Sequence, residues 1–274
     1  MPFDYARPRT LAEATKLLAG QGATALAGGT DLMVAIRHRK TRPDLVVDLK
    51  KVEDLESGIS HRDEKVRIGG LATMAQIAAD GRIRSQFPAL VDAVSVVGSV
   101  QIRNRATLAG NVCNASPAAD TAPALLAFAA TVEMVGTGGT RTVPVSSFFT
   151  GPGTSVLEAG DVVTAIELPI PDTGTGSAFA RVTRRRGVDL ATINLACVVN
   201  AGGAVRYGLG AVGPIPLIAE TNLTDLETDE GWDRLLGVAT PISDVRAGAD
   251  YRRAMLQIHS RRALDVARAD AGQS

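Results

Sequence analysis

Two short stretches of small residues in this sequence have the make-up of anion cradles. The first is Leu26, Ala27, Gly28, Gly29, Thr30, Asp31 and Leu32, set between an apolar strand-like run and a helix-like one. At such a junction unpaired backbone N–H groups point outward, and the helix dipole favours a negative charge. Glycine suits the turn because a Cβ would obstruct both positive φ angles and the close approach of backbone to phosphate oxygens. Thr30 adds a hydroxyl; Asp31 is expected to cap the helix, since an unpaired carboxylate would repel phosphate. The second stretch, Thr107, Leu108, Ala109, Gly110 and Asn111, repeats this chemistry further along the chain. Two cradles suit one pyrophosphate. Without a Walker lysine or an evident magnesium site, its charge would be met by several N–H donors at once. For either stretch alone, a plain tight turn into a helix is the competing reading. Asp120, just beyond the second cradle, is either an acceptor for sugar or ribityl hydroxyls or a helix N-cap. A third glycine motif, Gly208-Leu209-Gly210-Ala211-Val212-Gly213, matches GxGxxG but is a decoy. Pro214 and Pro216 stand where an uninterrupted helix must begin, and Ile215 is pushed from the α region by the proline after it.

The elements that must hold these residues can be read from periodicity and punctuation. Thr10-Leu11-Ala12-Glu13 is a capping-box pattern opening a helix that Gly20 stops. A strand over 23–27 runs into the first cradle, and a helix follows it. Strands are expected at 45–49 and 65–68, helices at 73–79 and 88–97. The segment 98–120 is too rich in glycine and asparagine for a simple helix and reads as a structured loop. A helix over 121–129 tolerates Pro123 in its first turn, and strands follow at 131–135, 141–145 and 162–168. The Pro- and Gly-rich run 169–176 is the clearest linker, placing a domain boundary near Pro171. Beyond it, 178–183, 190–199 and 204–212 read as three antiparallel strands. Helices at 232–238 and 249–267 close the chain. The last sets Met255, Ile258 and Leu264 near one face and leaves Arg252, Arg253, Arg261, Arg262 and Arg268 largely outside it, as a solvated basic surface.

Composition narrows the chemistry. The chain has 274 residues, 45% of them hydrophobic, and its 29 basic residues balance 29 acidic ones. It can therefore bury a full core, and no net field marks it for nucleic acid or an anionic membrane. No run approaches the roughly 18 apolar residues that span a bilayer, and the first residues carry no signal-peptide pattern, so a cytoplasmic location is expected. Cys113 and Cys197, the two cysteines, stand far apart, too few for an iron–sulfur centre. His38, His61 and His259, the three histidines, show no metal-ligand spacing. A bound organic cofactor, gripped through backbone groups, is the remaining expectation.

On these residues the sequence resembles the medium, FAD-binding subunits of molybdenum hydroxylases, the group that includes the corresponding part of xanthine dehydrogenase and carbon monoxide dehydrogenase. The likeness runs through FDYARPRTLAEA, AGGTDL, QIRNRATLAGNVCNASPAADTAPALLA and DVRAGADYRRAMLQIHSRRAL, in order along nearly the whole chain. It implies an α+β chain with a two-lobed FAD-binding domain of the vanillyl-alcohol-oxidase type over 1–171, lobes 1–52 and 53–171. A C-terminal domain over 172–274, with a three-stranded antiparallel sheet backed by helices, follows. Carried over by position, the two cradles become the FAD loops and Asp120 an FAD contact. Val97 falls where the family has an apolar residue near the flavin, and Val163, Thr164 and Ile166 on the strand passing the adenine. Arg181 and Arg184 lie in a segment approaching the isoalloxazine. Ala109 replaces a glycine common in relatives, and Ala180 replaces a lysine of xanthine dehydrogenases, which weakens any inference of NAD reduction.

The resemblance further implies a relay. A large partner subunit carrying the molybdopterin cofactor hydroxylates substrate, two [2Fe–2S] clusters in a small partner pass electrons on, and non-covalent FAD here collects them for an outside acceptor. Substrate choice belongs to the molybdenum partner. The alternatives are a stand-alone flavin oxidase tethering FAD through His or Cys, an NADPH-dependent cell-wall reductase of the same fold, and a non-enzymatic small-molecule-binding domain.

Overall fold

The computed structural model describes residues 3–62 and 64–272. The first strands and helices alternate, and the strands pair in parallel, as that alternation requires. They are β1 (Asp4–Ala6), α1 (Leu11–Leu18), β2 (Ala23–Leu26), α2 (Leu32–Arg37) and β3 (Leu45–Asp48), with sheet order β1-β3-β2. Thr10 caps α1 by accepting the Glu13 N–H. The Glu13 carboxylate takes the N–H of Arg9 instead of the Thr10 N–H that a capping box would use. The buried side of α1, Ala14 and Leu18, packs on Val47, Leu49, Val52 and Leu55 and on Val162 of the next sheet.

That sheet is antiparallel, in the order β4-β5-β10-β6-β7. Strands β4 (Ile59–His61) and β5 (Lys65–Gly69) precede a helical stretch: α3 (Met74–Ala79), α4 (Gly81–Gln86), α5 (Pro88–Ser95), α6 (Val100–Arg103), α7 (Leu108–Cys113) and α8 (Thr121–Ala127). Then come β6 (Thr131–Gly136), β7 (Gly139–Pro144), a small hairpin of β8 (Phe149–Gly151) and β9 (Thr154–Ser155), and β10 (Val162–Pro169). The segment expected to be an irregular loop holds α6 and α7. Their N-caps are Ser99 and Thr107, whose hydroxyls accept the N–H groups of Ile102 and Gly110. Both are short, four and six residues, and the glycine within them, Gly110 of α7, is the residue whose N–H the Thr107 cap takes. On the sheet, buried Arg67 of β5 pairs with Glu133 of β6 at 2.7 Å, with Glu167 of β10 at 3.1 Å and with Glu56 at 3.2 Å. Lys65 covers the other oxygen of Glu167 at 2.5 Å.

The C-terminal sheet is antiparallel with four strands, not the three expected: β11 (Gly176–Val182), β12 (Ile193–Val199), β13 (Ala204–Gly210) and β14 (Leu217–Asn222). β14 escaped the pattern because it is an edge strand on which only Ala219 is buried, and because it starts directly after a proline-broken turn. Alternation along β12 is clean. Leu195, Cys197 and Val199 face α9 (Asp229–Leu236) and α10 (Ala249–Asp270), while Ala196 and Val198 join the core beneath α5 and α8. On α10 the expected faces fail at two residues: Arg252, expected outside, is 1% exposed, and Ile258, expected on the apolar face, is 40% exposed. Arg252 is tolerated inside because the carbonyls of Thr192 and Ala211 and the Asp244 carboxylate accept from its guanidinium. Among the described residues, no helix is long and apolar enough to cross a membrane.

Candidate functional site

The first small-residue turn sits where β2 ends. Gly29 has φ +77°, so a side chain there would be strained. Gly28 is constrained by a neighbour: a Cβ on it would lie 2.1 Å from the Arg105 carbonyl oxygen and 3.1 Å from the Ala106 Cα. The turn therefore rests directly on the residues leading into the second one. Among the described residues, the amides of Gly28, Gly29, Thr30, Asp31 and Leu32 donate to no protein acceptor. Asp31 occupies the N-cap position of α2 but makes no side-chain cap, contrary to expectation; its backbone is already helical, at φ −96° and ψ −48°, not in the extended conformation usual for a capping residue. Surrounding protein raises the Asp31 carboxyl above the ordinary aspartate range. Beside the turn stands a lysine that sequence reasoning passed over. Lys50 Nζ is 2.6 Å from Asp48 Oδ1 and 3.4 Å from the Ala27 carbonyl. Its place follows from the pairing of β3 with β2, which no local motif reveals.

The second turn is more self-contained. Thr107 pairs with Thr73 in an isolated antiparallel bridge, Met74 donates to Ala106 and Leu108 to Ala72. The Gly110 N–H goes to the Thr107 hydroxyl at 3.0 Å, the Asn111 N–H to the Thr107 carbonyl. Asn111 Oδ1 accepts from Thr121 at 2.6 Å. Leu108 and Ala109 are buried and Gly110 is exposed. The two turns are thus unequal: the first presents a row of open amides, the second a rigid ledge against its base.

Asp120 holds the N-cap position of α8 but caps nothing. Its Oδ1 accepts from the Asn194 amide at 2.9 Å and lies 3.3 Å from Arg181 Nε. That N–H is not aimed at the oxygen, so charge rather than a hydrogen bond holds the pair. Burial pushes the Asp120 carboxyl up to about 6, with Arg181 and Asn194 pulling the other way. Arg181 and Asn194 are direct cross-strand partners on β11 and β12, so the sheet register delivers both to Asp120. Asn194 was not singled out by sequence reasoning; a polar residue inside an apolar strand was the signal. Arg181 also donates to the Val96 carbonyl at 3.1 Å and to the Asp189 carbonyl. Val97 is half-buried beside that contact. Arg184 stays out of the cluster, exposed on the β11–β12 loop and paired with Asp189 at 3.2 Å.

Val163, Thr164 and Ile166 lie on β10, where the register to β6 shifts between Val163 and Ala165. The carbonyl of Thr164 accepts from the Gly70 amide at 2.7 Å, and its hydroxyl lies 2.5 Å from Glu133 Oε1. The side chains of Val163 and Ile166 belong to the apolar core. Gly208 and Gly210 form no loop: Cβ atoms there would come within 2.0 Å of the Pro123 carbonyl and 2.0 Å of Asn194 Oδ1. These glycines let β13 press against the first turn of α8. No group of three or more His, Cys, Asp or Glu converges among the described residues as a metal site would require.

Residues 1–171 match the family model described as the FAD binding domain in molybdopterin dehydrogenase. Over 98% of this chain and 98% of the relative, the sequence is 33% identical to the xanthine dehydrogenase FAD-binding subunit of Escherichia coli. It is 31% identical to the carbon monoxide dehydrogenase medium chain of Afipia carboxidovorans, again over 98% of each. Among solved structures, a carbon monoxide dehydrogenase from Hydrogenophaga pseudoflava superposes with a TM-score of 0.90 at 30% identity, over 98% of each chain. Quinoline 2-oxidoreductase from Pseudomonas putida 86 does so with 0.89 at 26%, over 99% of each.

Proposed function

Because the chain belongs to the family of FAD-binding domains of molybdopterin dehydrogenases, we propose that it is the flavin subunit of a heteromeric molybdenum hydroxylase, an oxidoreductase. In this reading it works beside a small subunit with two [2Fe–2S] clusters and a large molybdenum subunit, in the cytoplasm. Bound FAD supplies the redox chemistry, taking electrons from the clusters and giving them to an external acceptor. The chain's own task is to bind, orient and shield it.

The residues present fit FAD. The observation that carries the reading is the seating of Gly28 on Arg105, which joins the two small-residue turns into one site fronted by the open amides of residues 28–32. A diphosphate there would be met by main-chain donors and by Lys50, whose charge Asp48 partly balances. We assign residues 26–32 and 107–111 to the diphosphate, Asp120 to the ribityl hydroxyls, Val97 and Arg181 to the flavin side, with Arg184 at its edge. Val163, Thr164 and Ile166 take the adenine side, contributing chiefly backbone because two of the side chains are committed to the core. We further assign 1–171, with lobes 1–52 and 53–171, to a flavin domain of the vanillyl-alcohol-oxidase type and 172–274 to a C-terminal domain; the span of the family match supports that division. Covalent attachment through Cys113 is disfavoured, since burial pushes its thiol up to about 12.

Gly29→Val sets a branched side chain where φ is +77° and amides must approach phosphate. FAD retention measured by absorbance should vanish while far-ultraviolet circular dichroism is kept; a fully flavinated variant would refute the assigned loop. Isolation from native cells should yield iron–sulfur and molybdopterin chains with it. An active, isolated monomer would count against the relay.

A further inference from the structure

We propose that Arg181 is a positioning residue that shapes the flavin half of the site and leaves the diphosphate half untouched; this rests on the function proposed above. Its guanidinium reaches three segments far apart in sequence: the Val96 carbonyl after α5, the Asp120 carboxylate before α8, and the Asp189 carbonyl in the β11–β12 loop. A planar fork of N–H donors can serve acceptors in several directions; an ammonium on the same stem cannot reach all of them. The Arg181 and Asp120 side chains are 11% and 10% exposed, so each charge depends on the other.

The turn after α5 is gripped from two sides. Arg181 holds the Val96 carbonyl, and Arg103 of α6 holds the next one, Val97, at 3.1 Å. Gly98 then turns with φ +53°, packed so closely that a Cβ would meet Ile102 at 2.7 Å. The backbone on either side of the Val97 side chain is thereby held. Asn194, the cross-strand neighbour of Arg181, ties Asp120 to the same sheet and also donates to the Ala119 carbonyl at 3.2 Å. The C-terminal sheet thus acts through Arg181 and Asn194 on residues of the flavin domain. Among the described residues, no hydrogen bond or ion pair of Arg181 involves residues 26–32 or 107–111.

The test is calorimetric titration of the full chain with FAD and, separately, with ADP, which fills only the diphosphate and adenine half. Arg181→Ala and Arg181→Lys should bind FAD about tenfold or more weakly, the loss expected for removing charge-assisted hydrogen bonds, and ADP as the wild type does. The visible spectrum of bound flavin should shift in both. Arg181→Lys keeps a cation beside Asp120, so it should stay folded even if the alanine variant fails to fold, and show the same selective loss. Equal losses for FAD and ADP, or unchanged FAD affinity and spectrum, overturn the proposal. A wild-type chain binding neither ligand overturns the proposed function and this inference together.

Discussion

At single residues the site is held by what is missing as much as by what is present. Gly28 has no room for a methyl group, because the Arg105 carbonyl fills that space. Gly28→Ala should therefore push the two turns apart, lowering stability by about 2 kcal/mol, within the usual range for overpacking, and weakening ADP and FAD alike. Thermal denaturation and ligand titration check both. Asp120 gives a pH signature. Its carboxyl titrates near 6 in the folded chain and near 3.9 when exposed, so the folded state holds the proton over that interval. Its contribution is full below about pH 4 and lost as pH rises through 6, a change on the order of 3 kcal/mol. Asp48, Asp80, Glu133, Asp161, Glu167 and Asp244 are shifted downward and act oppositely, losing stability as pH falls below about 4. Asp120→Asn should flatten the slope between pH 4 and 6 and leave the acid limb; urea midpoints across that range decide it.

Among the elements, the five-stranded sheet carries the strand we assign to the adenine side, and Arg67 ties its three central strands through Glu133 and Glu167. Glu133 also accepts from Thr164 at the irregular point of β10. Arg67→Ala would strand those carboxylates and should lower stability by about 3 kcal/mol, as broken buried pairs do; a chemical-denaturation midpoint equal to wild type would contradict this. The glycines of β13 give the opposite lesson. Gly208 and Gly210 match a nucleotide fingerprint in type and spacing, yet they serve the packing of β13 on Pro123. Gly208→Ala should destabilise the chain, while material that remains folded keeps its ADP affinity.

For the whole molecule, a cofactor that binds only the folded chain must stabilise it. FAD at a hundred times its dissociation constant should add about 2.7 kcal/mol, and the increment should disappear in Gly29→Val. The likeness to relatives covers 98% of this chain and of each curated relative reported above, so it extends into the C-terminal residues. Arg252, buried between that sheet and α10 and clamped by Asp244, Thr192 and Ala211, shows how tightly α10 is fixed to it.

The amino-acid sequence by itself determined what acts over a few residues. It located the glycine turns, the cap at Thr10 and the proline break that disqualifies Gly208 to Gly213, because turn and cap chemistry is local. It expected Asp31 to cap its helix, overlooked β14 with its single buried residue, and put Arg252 on the solvated face. Each of those depends on partners distant along the chain. Only the tertiary structure decided that Gly28 meets Arg105, that Lys50 stands beside Ala27, and that Arg181 and Asn194 converge on Asp120. Strand register and helix packing bring such groups together, and no spacing rule along one chain encodes a distance across two sheets.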